Sequence, residues 1–307
     1  MVHQVFRCPE KNRSRSFLST ASIKKRFIYI PDGKKARYQE DKPLIFPNKS
    51  LIIKNFYYPE DMQDPSSAKN IVETRILRKY QDKWQAHTYV WNDDQTEAKR
   101  LITGDIREIS RTDKQGETKT VQYMIPNENQ CKSCHALDNE LRPIGPRARH
   151  MNRTNQFEDG QHNQLTKMKD EGHLESVPAM SNVPKLPKWD EPSSGSLDDR
   201  ARAYLDINCG FCHSPEGDAD NSALHLEFSV DKKGDYGICK RPVAAGGGAG
   251  GRTYDIVPGK PDSSILVFRM EADDPNIRMP EVGRSVVHEE AVTLIRDWIS
   301  QMEGDCD

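Results

Sequence analysis

Two pentapeptides carry the chemistry of this chain. Residues 131–135 read CKSCH and residues 209–213 read CGFCH. Each sets two thiols three residues apart and adds an imidazole directly after the second. Cys-x-x-Cys pairs serve zinc coordination, dithiol exchange or thioether attachment of haem. Zinc ribbons need a second pair roughly 15–20 residues away to complete a tetrahedron of thiolates. Here 74 residues separate Cys134 from Cys209, and either Cys2His set alone would lack a fourth ligand. Dithiol exchange uses one pair at a helix N-terminus after a strand and has no use for the adjoining His. Haem attachment accounts for both sites. Residues three apart on a helical turn share a face, so Cys209 and Cys212 can take both vinyl groups of one porphyrin. His213 can then offer a ring nitrogen to the iron. The same reading gives Cys131, Cys134 and His135 to a second porphyrin. Two covalently attached haem c groups are therefore the expected cofactors.

An iron held by one histidine needs a sixth ligand or keeps an open position. Most methionines fill cores, but Met279 lies 66 residues after His213 in an Arg-Met-Pro loop before an amphipathic segment. Pro280 stiffens that loop. Met279 is the expected sixth ligand of the second iron, whereas Met270 continues an apolar run and is expected to pack. For the first iron Met124, His87, His150, Met151, His162, Met168 and His173 stand as alternatives.

The elements that position these groups read as α+β. "RFIYIP", "SLIIKNFYYP", "IVETRILRKY" and "AHTYVW" are short, β-branched and aromatic, bounded by turn residues. "GDIREISRTDKQGETKTVQYMIP" reads as a hairpin around a Gly-containing turn. Trp84, Tyr89 and Trp91 are expected in the sheet core. The domain organisation is then 1–125, β-rich and haem-free; 126–176, a first haem segment with a helix-like "NQLTKMKDEGHL"; 177–195, an extended proline-rich linker; and 196–307, an all-α cytochrome c-like domain. In the last, Ser196 with Asp199 caps an opening helix whose Ala201 and Leu205 form an apolar stripe. A closing helix is expected from Ser285, with Val287, Ala291, Leu294, Ile295 and Trp298 at helical spacing. Between them lies "VAAGGGAGG", expected to be a flexible loop over the haem edge. It is no Walker A loop, because Gly259-Lys260 is followed by Pro261. Large apolar side chains beyond the two helices are few, so this domain is expected to need its porphyrin to fold.

Composition narrows the classes. The 307 residues are only 35% hydrophobic and 30% charged, with mean hydropathy −0.83, lean for a self-sufficient core. A net charge of −2 gives no footprint for nucleic acid, and no apolar run approaches the ~20 residues of a membrane span. Nothing in the sequence sets an oligomeric state. Cys8, Cys239 and Cys306 remain outside the motifs, and Cys239 with Cys306 could form a disulfide. Haem c is attached on the outer side of the bacterial cytoplasmic membrane, yet residues 1–27 hold no apolar stretch of ~7–15 residues typical of an export signal. The expectation is a periplasmic or otherwise extracytoplasmic protein whose start is truncated or misplaced here, or whose sequence is the mature form.

"RAYLDINCGFCHSPEG", "CKRPVAAGGGAGG", "DIVPGKPDSSILVFRM" and "RMPEVGRSVVHEEAVTLIRDWI" resemble a family of bacterial di-haem c-type cytochromes. Upstream, "KKRFIYIP", "VETRILRKY", "YVWNDDQTEA", "IPNENQCKSCH" and "RPIGPRARHMNR" resemble the family's β-rich part and first haem site, so the likeness spans roughly residues 22–300. It implies a periplasmic or surface-associated redox protein with haem at Cys131/Cys134 and Cys209/Cys212. His135, His213 and Met279 match axial positions. The resemblance gives no physiological role, and the ligation of the two irons leaves two functions as expectations: an electron carrier exchanging electrons with redox partner proteins and having no catalytic residue, or a di-haem peroxidase-like oxidoreductase whose first iron keeps an open position. A third, weaker reading is a haem-bearing binding module whose β-rich part docks a partner.

Overall fold

The computed structural model describes residues 6–8, 23–58, 60–61, 63–64, 67, 70–112, 116–137, 140–243, 245–281, 284 and 286–306. They fall into two compact units, one centred on Ala21–His135 and Asn139–Leu186, the other on Pro187–Asp307.

The first unit is β-rich. Its strands are β1 (Phe6–Cys8), β2 (Ile23–Tyr29), β3 (Ala36–Arg37), β4 (Leu51–Tyr57), β5 (Ile71–Tyr80), β6 (Lys83–Trp91), β7 (Ala98–Leu101), β8 (Asp105–Thr112) and β9 (Thr118–Ile125). Six of them form one antiparallel sheet in the order β1-β2-β4-β5-β6-β7. β5 and β6 meet at Gln81-Asp82, both at positive φ (49° and 58°), the geometry whose twist suits a two-residue hairpin. β8 and β9 pair as a separate hairpin, as their alternating pattern predicts. Strand register places Arg26 opposite Lys54 and Lys54 opposite Arg75, one cationic row across three strands.

Three short helices follow: α1 (Glu128–His135), α2 (Ala148–Met151) and α3 (Gln164–Asp170). Asn163 caps α3, its side chain accepting from the Leu165 and Thr166 amides. Met151 and Met168 are buried with Phe46, Leu165 and Leu174 in this unit's core, so both serve packing, which removes them as ligand candidates. Trp84 packs edge-on against Phe46. Tyr89 and Trp91 are only half-buried, and Trp91 donates to the Thr74 hydroxyl at 2.9 Å.

The boundary between the units falls at Leu186/Pro187, inside the proline-rich stretch. That stretch is used rather than spare: Val183 is buried in the first unit's core and Trp189 packs on the second unit's.

In the second unit the regular elements are helices: α4 (Leu197–Asn208), α5 (Ile265–Glu271) and α6 (Glu289–Ser300), with short 3-10 turns between. Ser196 and Asp199 form the expected reciprocal cap on α4. Ala201 and Leu205 are fully buried. Three sequence expectations are corrected here. The closing helix begins at Glu289, directly after His288. Residues 286–288 are not helical and Ser285 lies outside the described residues. β-branched Val286 and Val287 lower helix propensity at that end. Secondly, the excursion between α4 and α6 contributes Leu226, Tyr236, Ile256, Val267 and Met270 to a core with Leu294, Ile295, Trp298 and Ile299. The unit therefore buries more of its own apolar surface than the two helices supply. Thirdly, the glycine-rich run holds a 3-10 turn, Gly246–Ala249, in which Gly248 is buried. Gly250 sits at φ 55° against the Phe268 ring, where a β-carbon has no room.

Candidate functional site

The first motif rides on α1. Asn127 accepts from the Gln130 amide (2.8 Å) while the Gln130 side chain accepts from the Asn127 amide (3.0 Å). This reciprocal cap starts the helix just after Pro126 and was readable in "PNENQ" as an Asn with Gln three residues later. Cys131 and Cys134 then fall three apart on the helix, both half-buried and both free thiols. Burial raises the Cys131 thiol pKa. His135 ends the helix and is clamped by Arg142. The Arg142 amide donates to the His135 carbonyl at 2.6 Å, and His135 Nδ1 lies 3.0 Å from the Arg142 carbonyl oxygen. A carbonyl can only accept, so Nδ1 carries the proton and Nε2 is left with its lone pair. Burial pulls the His135 pKa down to about 4, which keeps the ring neutral and able to ligate.

The second motif follows α4. Cys209 is the C-cap residue, and the Cys212 and His213 amides both donate to its carbonyl, at 3.1 and 2.9 Å. That single turn gathers Cys209, Cys212 and His213. Both cysteines are free thiols, and burial pushes the Cys209 thiol up to about 12. His213 Nδ1 lies 3.3 Å from Ser222 Oγ. Ser222 donates its own proton to the Ala219 carbonyl (2.6 Å), so its oxygen can accept from Nδ1, which then carries the ring proton. Lys240 steadies this arrangement, donating to the Ser222 carbonyl (2.8 Å) and pairing with Asp255 (3.1 Å). Burial lowers the His213 pKa to about 4.

Met279 is half-buried on the loop after α5. Its amide donates to the Arg269 carbonyl at 2.8 Å, and Arg284 donates to its own carbonyl at 3.0 Å. The Arg269 charge in turn acts on the His213 ring. Met270, by contrast, is buried on α5 within the core, as expected.

Of the alternatives for the first iron, two sit beside α1. Gln130, next to Cys131, approaches Met124 Sδ at 3.9 Å. His87 on β6 lies 3.7 Å from Glu128 Oε1, which also binds Arg100 at 2.6 Å. His162 instead faces Asp159 at 3.5 Å in the hairpin of Thr154–Phe157 and Gly160–Asn163. His150 belongs to α2 and His173 follows α3.

Cys239 and Cys306 are disulfide-bonded. Every thiol free among the described side chains therefore belongs to one of the two motifs. Among the described residues no three His, Cys, Asp or Glu side chains converge as a metal-binding group. No helix among the described residues is long and apolar enough to cross a membrane. The chain matches no family model, no curated protein and no solved structure.

Proposed function

We propose that the chain is a di-haem c-type cytochrome that carries electrons between redox partner proteins outside the cytoplasm, with a cytochrome c-like second unit. One observation carries this reading. In both motifs the histidine next to two free thiols has Nδ1 held by an acceptor, at 3.0 Å in His135 and 3.3 Å in His213. Iron-ligating histidines use that tautomer, since a hydrogen bond to one ring nitrogen orients the other toward the metal. Haem, when bound, supplies reversible one-electron chemistry. The chain's own work is to hold it. Cys131 with Cys134, and Cys209 with Cys212, form the thioethers. His135 and His213 present Nε2, and Met279 presents a thioether sulfur from its tethered loop.

The peroxidase-like reading is favoured by His87 and Glu128, whose side chains approach within 3.7 Å one helical turn before Cys131, since peroxide chemistry needs an acid–base group beside an open iron position. Met124 stands beside the same helix as a competing soft ligand, and we favour the filled position and the carrier. Optical spectra of the reduced chain with and without carbon monoxide decide between them. Unperturbed spectra support the carrier; one equivalent of bound carbon monoxide with peroxide turnover supports the enzyme.

A further inference from the structure

The sheet face beside the first motif gathers positive charge around one aromatic ring. Lys54 Nζ lies 4.6 Å, Lys24 Nζ 5.8 Å and the Arg75 guanidinium 4.4 Å from the Phe56 ring centroid. Arg26 extends the row, opposite Lys54 in the strand register. The nearby carboxylate, Glu73, is fully buried and engaged by Arg75 (Nε to Oε2 2.9 Å) and by the Tyr123 hydroxyl. The row meets the strand that leads into the motif: Tyr123, bonded to the same Glu73 as Arg75, lies on β9, which ends at Ile125 just before α1 begins at Glu128. Burial first, and then repulsion from Arg26 and Arg75, holds the Lys24 and Lys54 pKa values well below the usual lysine range. An anion seated there would favour the charged lysines.

We propose that Lys24, Arg26, Lys54 and Arg75 form the seat for the two carboxylates of the porphyrin attached at Cys131 and Cys134. This rests on the haem reading above and deepens it. Cations at that seat favour the reduced, less positive iron, so the row also sets the first haem's potential. The same chemistry could come from a free anion such as phosphate, and the test separates the two.

The test is a spectroelectrochemical titration of the full chain with its porphyrins attached. Lys54→Gln and, independently, Lys24→Gln are expected to reduce the reduction equilibrium constant of one haem about tenfold, a shift of about −59 mV for a one-electron couple. The other haem should be unchanged, and Lys54→Arg should restore the wild-type value. Lys25→Gln, which removes equal charge from the opposite face beside Tyr57, should move neither. Unchanged potentials in both glutamine variants with two porphyrins attached would overturn the inference alone. So would an equal shift in Lys25→Gln, or a wild-type potential that follows added phosphate. A chain whose mass shows no attached porphyrin overturns the haem reading and this inference with it.

Discussion

Gly217 rests directly on the carbonyl group of Cys212: a β-carbon at 217 would fall 2.7 Å from the Cys212 carbonyl carbon and closer still to its oxygen. The neighbour is backbone, so it has no side-chain rotation with which to escape. Gly217→Ala should therefore displace Cys212 while leaving Cys131 and Cys134 untouched. The expected result is a chain whose intact mass falls by one haem, with the first site still loaded. A fully loaded Gly217→Ala chain would show that Cys212 tolerates the shift.

Covalent attachment at both motifs predicts an intact mass exceeding the polypeptide by two haems. Acidified-solvent extraction should leave the colour in the protein. Cys131→Ser with Cys134→Ser should remove one haem, and Cys209→Ser with Cys212→Ser the other. Pigment that extracts, or zinc in its place, contradicts the assignment.

Met279→Ala is expected to abolish the sulfur-to-ferric charge-transfer band of the second haem and open it to carbon monoxide. Met279→His should lower that haem's potential, since a thioether favours Fe(II) more than a second imidazole does. An alanine variant with the wild-type spectrum would move the ligand elsewhere, although Met270 is built into the core.

If the first motif carries a haem iron, two candidate sixth ligands lie beside α1, Met124 and His87. With the position filled, carbon monoxide should leave the wild-type spectrum nearly unchanged, and either Met124→Ala or His87→Ala should admit one equivalent. Binding by the wild type would instead give His87 and Glu128 the acid–base role.

The second unit's own core makes a stability prediction. Ile295 is fully buried on α6, and Ile295→Ala should cost about 2–5 kcal/mol. Cys306→Ser opens a disulfide spanning 67 residues and should cost about 2–4 kcal/mol through the freer unfolded chain. Denaturant melts of the loaded protein measure both, and a midpoint unchanged by Ile295→Ala would contradict the packing described.

Local pattern made much of this legible. "IVETRILRKY" marks β5 end to end, and Ser196 with Asp199 marks the start of α4, because strand alternation and caps are written within a few residues. Long-range contacts were not legible. Nothing near His135 announces that the Arg142 carbonyl fixes its tautomer, nor does His213 announce Ser222. The cationic row is likewise invisible along the chain, because Arg26, Lys54 and Arg75 meet only through strand register. β7 was missed because "AKRL" is polar and short, formed by pairing with β6 rather than by propensity. The excursion's share of the core escaped notice because Leu226, Tyr236 and Ile256 are scattered among loop residues and gain their burial only from packing.

The Cys239–Cys306 bond has a consequence for how the chain matures. On the haem reading, one pair of sulfurs must lose electrons to an oxidant, while four others, each already in a spacing that closes into a disulfide with little strain, must keep theirs until the thioethers form. Both Cys-x-x-Cys pairs precede Cys239, whose partner lies 67 residues further on, so in a polypeptide emerging N-terminus first all four motif thiols are present before this disulfide can close. If the motifs carry haem, maturation then needs selective reduction of both pairs, and yield in a heterologous host should depend on the thiol-reducing helpers supplied alongside it.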